Sequence, residues 1–302
     1  MSSGKNTFGH NLVKHAGWLD AVSNVFGAIV NSVFRIPGTR PLKDLLHGTW
    51  PLHHPFHPAI TDLTIGGYTA MVAVDVLYLI TGERGLLRAA DFLLVGSFLT
   101  SLISIVSGLT DWNETVGDER RTGMLHGLLM VVATLAFVGS LVLRVQGSFD
   151  VRTSAIALSA VAWLVMLVSS YLGGELVFGF GTQVNRQAWS EIADGWQALD
   201  VQAMSLKDRV PVVAKTAEGI DLFVASLDGT LFVIGNTCTH AGGPLNEGTW
   251  VGAKRCEIEC PWHASRFCVE DGSVHGGPAT FAEPTWAARV GASGTVEVRS
   301  RD

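Results

Sequence analysis

Four residues in two short segments toward the C-terminal end have the types and spacing of metal ligands. Cys238-Thr-His240 is followed by Ala-Gly-Gly-Pro-Leu, and Cys260-Pro-Trp-His263 by Ala-Ser-Arg-Phe, with nineteen residues between His240 and Cys260. Each segment offers one thiolate and one imidazole. Such a set suits a mixed-ligand [2Fe–2S] cluster, where thiolates hold one iron and imidazoles the other, raising the potential above that of an all-Cys cluster. The competing chemistry is a Cys₂His₂ zinc site. Zinc sites more often space Cys with Cys and His with His, and they do not call for Gly-Gly-Pro after one pair or Pro inside the other. The spacing favours the cluster and leaves zinc as the alternative. Gly242, Gly243 and Pro244 read as a tight loop that brings backbone N–H groups to sulfur.

These motifs resemble those of the Rieske family, over about residues 196–300 and at the surrounding Gly and Pro as well as the ligands. The resemblance implies a [2Fe–2S] cluster on Cys238, His240, Cys260 and His263. It also implies that His275-Gly-Gly-Pro278-Ala is the loop shielding the cluster, with Ser265, Trp262 and Pro278 around it. High-potential members carry an extra Cys in each motif, joined as a disulfide. Gly243 and Trp262 stand there instead, so that bridge is absent. Those members also supply Ser and Tyr hydroxyls to the cluster. Ser265 matches the first, but Phe267 stands in place of the second. Hydrogen bonds to a cluster tune its potential, so a low or intermediate potential is expected, nearer the ferredoxin-type members. Cys256 and Cys268 are left over and read as core thiols on strands.

The elements that must position these residues fall into two halves. A chain of 302 residues allows about two domains. Charged residues make up 16% and the net charge is −6, so a basic nucleic-acid footprint is excluded. Mean hydropathy is +0.33, high for a water-soluble protein. Four Cys with two committed to a cluster do not make a disulfide framework. The opening Met-Ser-Ser-Gly-Lys-Asn lacks the charged-then-apolar pattern of a signal peptide.

Uncharged runs at 92–109, 122–143 and 153–174, and a similar run at 59–81 holding Asp62 and Asp75, explain the hydropathy. Eighteen or more apolar residues suffice to span a bilayer as a helix. The expectation is four transmembrane helices at about 59–81, 87–109, 123–144 and 154–178, in an up-down bundle because the connections are short. Four spans put the N-terminal extension, the 111–121 loop and the C-terminal domain on one face. Leu12, Leu19, Val22, Phe26, Ile29 and Val33 have helical spacing on a segment too polar to span, which lies on the membrane surface or packs on the bundle. Ile36-Pro-Gly-Thr-Arg-Pro41 ends it.

A second resemblance, to the DUF2231 family of four-helix membrane proteins, covers about 40–185. It rests on Leu46 to Asp62, Asp75, Gly108-Leu-Thr-Asp111-Trp, Arg121-Thr-Gly-Met-Leu-His126 and Leu172-Gly-Gly-Glu175. Many members carry His where Glu175 stands, and the family brings no established chemistry. The expected domains are an extension at 1–45 with an interfacial helix, a membrane domain at 46–185 and a Rieske domain at 186–302. After residue 205, short alternating runs at 210–215, 222–226, 231–234, 256–259 and 296–299, with Asp228-Gly229 as a hairpin turn, predict a small antiparallel all-β domain bearing its ligands on two loops. Residues 185–196 read as a linker or joining helix.

His54, His57 and His126 fall at similar depth near one face, with His47 and His53 preceding them. Imidazoles from different helices can hold a haem b or a second metal. The alternative is that they pair with Asp62, Asp75, Asp111 or backbone carbonyls and staple the bundle, and this plainer reading leads. For a haem, His57 and His126 are the expected axial pair, with His54 in reserve. Arg and Lys near the two faces number five against four, which decides no orientation. A disulfide-lacking, ferredoxin-like cluster domain suits a reducing compartment, so that domain and both termini are placed in the cytoplasm, on a multi-pass protein of the cell membrane. The expected function is one-electron transfer between a soluble redox partner protein and a membrane acceptor: a haem, a quinone or a partner oxidase, as an oxidoreductase subunit rather than a stand-alone enzyme. Membrane lipid is the surrounding partner. A membrane oxygenase using the His cluster and a redox sensor or assembly subunit are the alternatives.

Overall fold

In the computed structural model of the chain, residues 8–146, 149–190, 194–252 and 256–301 are described. The first seven residues of the expected extension, two of the 145–152 loop and residues 191–193 of the expected joining segment lie outside them. The chain divides into two compact units: residues 1–40 with 56–182, and residues 41–55 with 183–302. Residues 41–55, which the sequence divides between extension and membrane domain, thus group with the β-rich unit.

The first unit is an α-helical bundle. Its long helices are α4 (Phe56–Thr81), α5 (Gly85–Trp112), α6 (Gly117–Gln146) and α7 (Phe149–Glu175), the last running into a π-helical turn, Leu176–Phe180. All four are long and apolar enough to cross a membrane. They exceed the hydropathy windows because polar ends remain helical. Asp118 and Glu119, for example, sit in the first turn of α6, where the positive end of the helix dipole favours acids. Tyr68, Met71, Leu94, Phe137 and Met166 fill the centre, and the Tyr68 and Phe137 rings stack at 3.7 Å. Buried Ser97, Ser101, Ser104 and Ser107 line one face of α5, and small residues let helix backbones approach closely. Arg144 of α6 forms a buried pair with Asp75 of α4 and reaches Asp91 at 3.2 Å. The outer faces stay apolar: Ile80, Phe92 and Val145 are each 76–80% exposed.

The amphipathic helix α2 (Trp18–Phe34), preceded by α1 (Phe8–Val13), packs on the bundle. Leu19 is buried with Trp112 and Met124. Asp20 accepts two bonds from Arg121, at 2.6 and 2.7 Å. Glu175 accepts the backbone N–H groups of Gly9 and His10 at 2.8 and 3.1 Å and so fixes α1.

The second unit is all-β apart from short helical pieces, among them α3 (Arg40–His47), most of which groups here. A six-stranded antiparallel sheet has the order β1-β10-β9-β4-β3-β2, from β1 (Gln197–Gln202), β2 (Val212–Lys215), β3 (Asp221–Leu227), β4 (Thr230–Gly235), β9 (Thr285–Val290) and β10 (Thr295–Ser300). A four-stranded sheet runs β5-β6-β7-β8: Thr249–Val251, Glu257–Glu259, Arg266–Cys268 and Val274–Gly276. Asp228 and Gly229 both have positive φ, 49° and 82°, between Leu227 and Thr230, which pair, as a two-residue hairpin of this chemistry requires. The expected runs correspond to β2, β3, β4, β6 and β10, and the structure adds β1, β9 and the three-residue strands β5, β7 and β8, the last three too short to show alternation. Phe223, Ile234, Ile258 and Phe267 form the core beneath the smaller sheet.

Candidate metal centre

The two expected ligand loops have one backbone design. The N–H of Cys238 donates to Gly243 O at 2.9 Å, and the N–H of Gly242 returns to Cys238 O at 2.9 Å. In the second loop the N–H of Cys260 donates to Ser265 O at 2.8 Å, and Ala264 N–H returns to Cys260 O at 3.1 Å. Each loop therefore closes on its cysteine five residues on and four residues on. The turn needs a left-handed residue at the fourth step. Gly242 supplies it at φ 85° and Ala264 at φ 57°, where a Cβ carries steric cost.

The loops bring all four donors together. Cys238 and Cys260 are buried, at 1% and 3% exposure, and their thiols hydrogen-bond to one another. The imidazoles of His240 and His263 lie 5.0 Å apart, nearly perpendicular. Nδ1 of His240 is buried without a hydrogen-bond partner. A buried ring nitrogen costs free energy unless something occupies its lone pair, and iron would do so. The donors do not converge as a single tetrahedral zinc needs, with ligand atoms about 3.8 Å apart. Among the described residues, the three-donor group within 4.8 Å is a different one, Cys256, Cys268 and Glu270. A two-iron cluster separates thiolates from imidazoles, and the residues present fit it.

The electrostatics suit ligation. The hydrogen bond from Cys238, with the backbone N–H groups of Trp262 and His263, draws Cys260 down to about 7. The same bond, with burial, pushes Cys238 up. Burial lowers His240 to about 3, helped by the positive charge of His263, His47, Arg186 and Lys43, and so keeps the imidazole neutral, its ligand form.

Around the donors, Ser265 is fully buried and its Oγ accepts the N–H of Ala279 at 3.1 Å, beside Pro278. Gly277 has φ 85°, and a Cβ there would stand 2.6 Å from Ala264 O and Ser265 Cα. A Cβ on Gly243 would meet Cys260 Sγ at 2.8 Å and Trp262 Cγ at 3.0 Å. Trp262 thus occupies the space toward which a second cysteine would point. Phe267 is fully buried in the same core as Cys238 and Cys260.

Several residues at this tip carry no sequence signal. Glu283 is buried and accepts the N–H of Thr239, between two ligands, at 2.6 Å. Burial raises its carboxyl well above the ordinary range. From the other end of the chain, Asp44 accepts Gly277 N–H at 3.2 Å and Thr49 donates to Gly277 O at 2.5 Å. His47 between them is fully buried and lies within electrostatic range of His240. Residues 41–55 therefore form a strap against Gly277.

The membrane-type histidines separate. His54 is exposed and belongs with the strap, its Nδ1 3.1 Å from Pro55 O. His57 and His126 lie inside the bundle within electrostatic range of each other. Their settings repeat. Nδ1 of His57 meets Ser104 O at 3.0 Å, and its Cε1 lies 2.7 Å from where a Cβ of Gly108 would be. Nδ1 of His126 meets Ser169 O at 2.8 Å, and its Cε1 lies 3.2 Å from a Cβ of Gly173. Each glycine is four residues after its serine. Of the acids expected as partners, Asp111 acts on His57, Asp75 pairs with Arg144 instead and Asp62 is exposed.

Comparison with known proteins agrees with this division. Residues 53–186 match the family described as "Predicted membrane protein (DUF2231)" and residues 196–287 match the "Rieske [2Fe-2S] domain". The ferredoxin component of the naphthalene 1,2-dioxygenase system of Pseudomonas putida is 30% identical over 92 residues, 30% of this chain and 86% of that protein. The corresponding component of Pseudomonas aeruginosa is 32% identical over 79 residues, 26% of this chain and 73% of that protein. Among solved structures, the ferredoxin of carbazole 1,9a-dioxygenase from Nocardioides aromaticivorans IC177 is 25% identical, with 36% of this chain and all of that chain covered at a TM-score of 0.32. The ferredoxin of Sphingomonas yanoikuyae B1 is 28% identical, with 35% and 100% covered at the same score. With two cysteines and two histidines on paired closed loops inside the matched residues 196–287, and a ferredoxin relative 30% identical and covered over 86% of its length, the chain belongs to the Rieske [2Fe–2S] family, its Rieske domain following a DUF2231 domain.

Proposed function

We propose that this protein is a membrane-anchored one-electron carrier in which Cys238, His240, Cys260 and His263 hold a [2Fe–2S] cluster. The cluster supplies one-electron oxidation and reduction. The protein's own groups do the rest. The closed loops aim thiolates and imidazoles, Trp262 and the 277–279 loop restrict water, and Ser265 keeps a hydroxyl proton available to the site. The bundle spans the bilayer four times, with the Rieske domain and both termini in the cytoplasm and lipid around Ile80, Phe92 and Val145. The soluble partner is a reductase or oxidase component, in keeping with relatives that are named as ferredoxin components of a dioxygenase system.

The observation that carries the membrane acceptor is the strap. Residues 41–55 seat Asp44, His47 and Thr49 at the cluster tip, and the chain then enters α4 at Phe56. The reading is tested on the full chain in detergent under anaerobic conditions. Two irons and two sulfides per chain, a Rieske-type EPR signal on reduction, and exchange with a soluble reductase on one side and a quinone or partner oxidase on the other are expected. Zinc in place of iron would end it, and a cluster that exchanges with no redox partner would favour a sensor or assembly subunit.

A second reading has the acceptor within the bundle as a haem b on His57 and His126. It draws on their Nδ1 contacts to backbone carbonyls, the setting in which a histidine presents Nε2 to iron. A reduced haem band that His126→Ala abolishes while the EPR signal remains is the expected result. Absence of haem from protein expressed with ample iron would leave both histidines as staples.

A further inference from the structure

The backbone design of the two ligand loops occurs a third time. The N–H of Cys268 donates to Ser273 O at 2.9 Å, and Gly272 N–H returns to Cys268 O at 2.8 Å. Gly272 is left-handed, φ 73°, at the fourth step after the cysteine. This is the closure seen at Cys238 and at Cys260. The ligand loops place their imidazoles two residues after one cysteine and three after the other. The third loop places carboxylates at both positions, Glu270 and Asp271.

A second thiol faces this loop. Cys256 precedes β6, and its carbonyl accepts the N–H of Val269 at 2.9 Å. The two sulfurs hydrogen-bond to one another. The sulfurs of Cys256 and Cys268 and a carboxylate oxygen of Glu270 all lie within 4.8 Å of one another. Asp271 also hydrogen-bonds to Cys268, and Ser273 steadies its carboxylate through N–H and Oγ at 2.9 and 2.5 Å. Both thiols are buried, at 5% and 4% exposure, while Glu270 is open to solvent. The sequence suggests two plain core thiols. The fold instead gathers two soft donors and two hard ones on a knuckle.

We infer that Cys256, Cys268 and Glu270, with Asp271 beside them, form a second metal site on the Rieske domain, for a soft divalent cation of the zinc class. Two thiolates with carboxylate oxygen are a donor set that zinc accepts in tetrahedral geometry. On binding, each thiol releases its proton to solvent as its sulfur–metal bond forms, and no group is oxidised or reduced. The cation enters from the Glu270 side. It offsets the cost of deprotonating a buried sulfur, since burial and the hydrogen bond with Cys268 hold the Cys256 thiol up at about 12. It ties the start of β6 to the end of β7 in a sheet whose strands are three residues long, and small, weakly paired sheets gain most from such staples. The inference does not depend on the electron-transfer reading, because the site uses none of the cluster's ligands.

The test is metal analysis of the full-length protein in detergent, with EPR of the cluster in the same samples. Wild-type protein equilibrated with zinc and then desalted should hold one zinc beyond its two irons. Cys256→Ser/Cys268→Ser should lose that zinc and keep the Rieske signal. Glu270→Gln, a change at an exposed side chain, should weaken zinc binding about tenfold or more while both thiols remain, and it serves if the double variant does not fold. Cobalt in place of zinc should give thiolate charge-transfer absorption that is absent from Cys268→Ser. Equal zinc in wild type and both variants would overturn the inference. So would wild-type protein that takes up no zinc, or that loses two mass units through a Cys256–Cys268 disulfide when purified with reductant.

Discussion

The ligand loops of the Rieske domain and the paired histidines of the bundle both place two imidazoles close together, but by opposite means. At the cluster tip the donors sit within three residues of one another in each loop, and the loop closes on its own cysteine. In the bundle, His57 and His126 are oriented by Ser104 and Ser169, each more than forty residues away in sequence. A local loop keeps its ligands within a few residues of one another, so the pairing of Cys with His in the chain announces a metal. A helix–helix contact asks only for a small residue opposite a ring, here Gly108 and Gly173, and many functions share that pattern. The tip declares its chemistry, and the bundle declares its packing.

The sharpest break in this comparison is at the tip. Cys238→Ser should abolish the cluster, with iron falling to background and the EPR signal lost, while the bundle's helical circular dichroism is kept. The bundle's counterpart is Asp75→Asn. It takes from Arg144 its buried counter-charge and leaves the more exposed Asp91, and should cost about 3 kcal/mol, read as loss of detergent-solubilised helical protein on heating with cluster chemistry intact. Converting both residues to leucine should recover much of that loss. Gly277→Ala comes next. It forces a Cβ into a left-handed position against the Ala264–Ser265 backbone, and should cost about 2–4 kcal/mol, read as earlier thermal bleaching of the cluster. The reverse change within the same design is Ala264→Gly. It relieves the one left-handed non-glycine residue among the closing positions and should stabilise the tip by about 1 kcal/mol. An unchanged melting temperature would show that the loop does not set the tip's stability.

The smallest effect concerns potential. Phe267→Tyr adds a hydroxyl in the core shared with both ligand cysteines. A hydrogen bond of about 1 kcal/mol to the more negative reduced state corresponds to about 40 mV for one electron, so redox titration should find the midpoint raised by that order. A fall, or no change, would show that the ring does not lie against the cluster.

Sequence alone determined the chemistry-bearing loops, the four long apolar helices, the all-β character of the second unit and the Asp228-Gly229 hairpin. Each of these is written in near-neighbour spacing: Cys-x-His and Cys-x-x-His, uncharged runs of about twenty residues, or a two-residue turn. Tertiary structure decided what joins distant positions. It placed residues 41–55 over Gly277 through Asp44 and Thr49, buried Glu283 under Thr239, and gave Asp75 to Arg144 rather than to a histidine. It also turned Cys256 and Cys268 from two separate core thiols into one pair. A hydrogen bond or ion pair between residues far apart leaves no periodicity in the chain, because any donor of the right reach could serve. A closed loop around a ligand leaves its glycine and its spacing behind, because backbone geometry admits few alternatives.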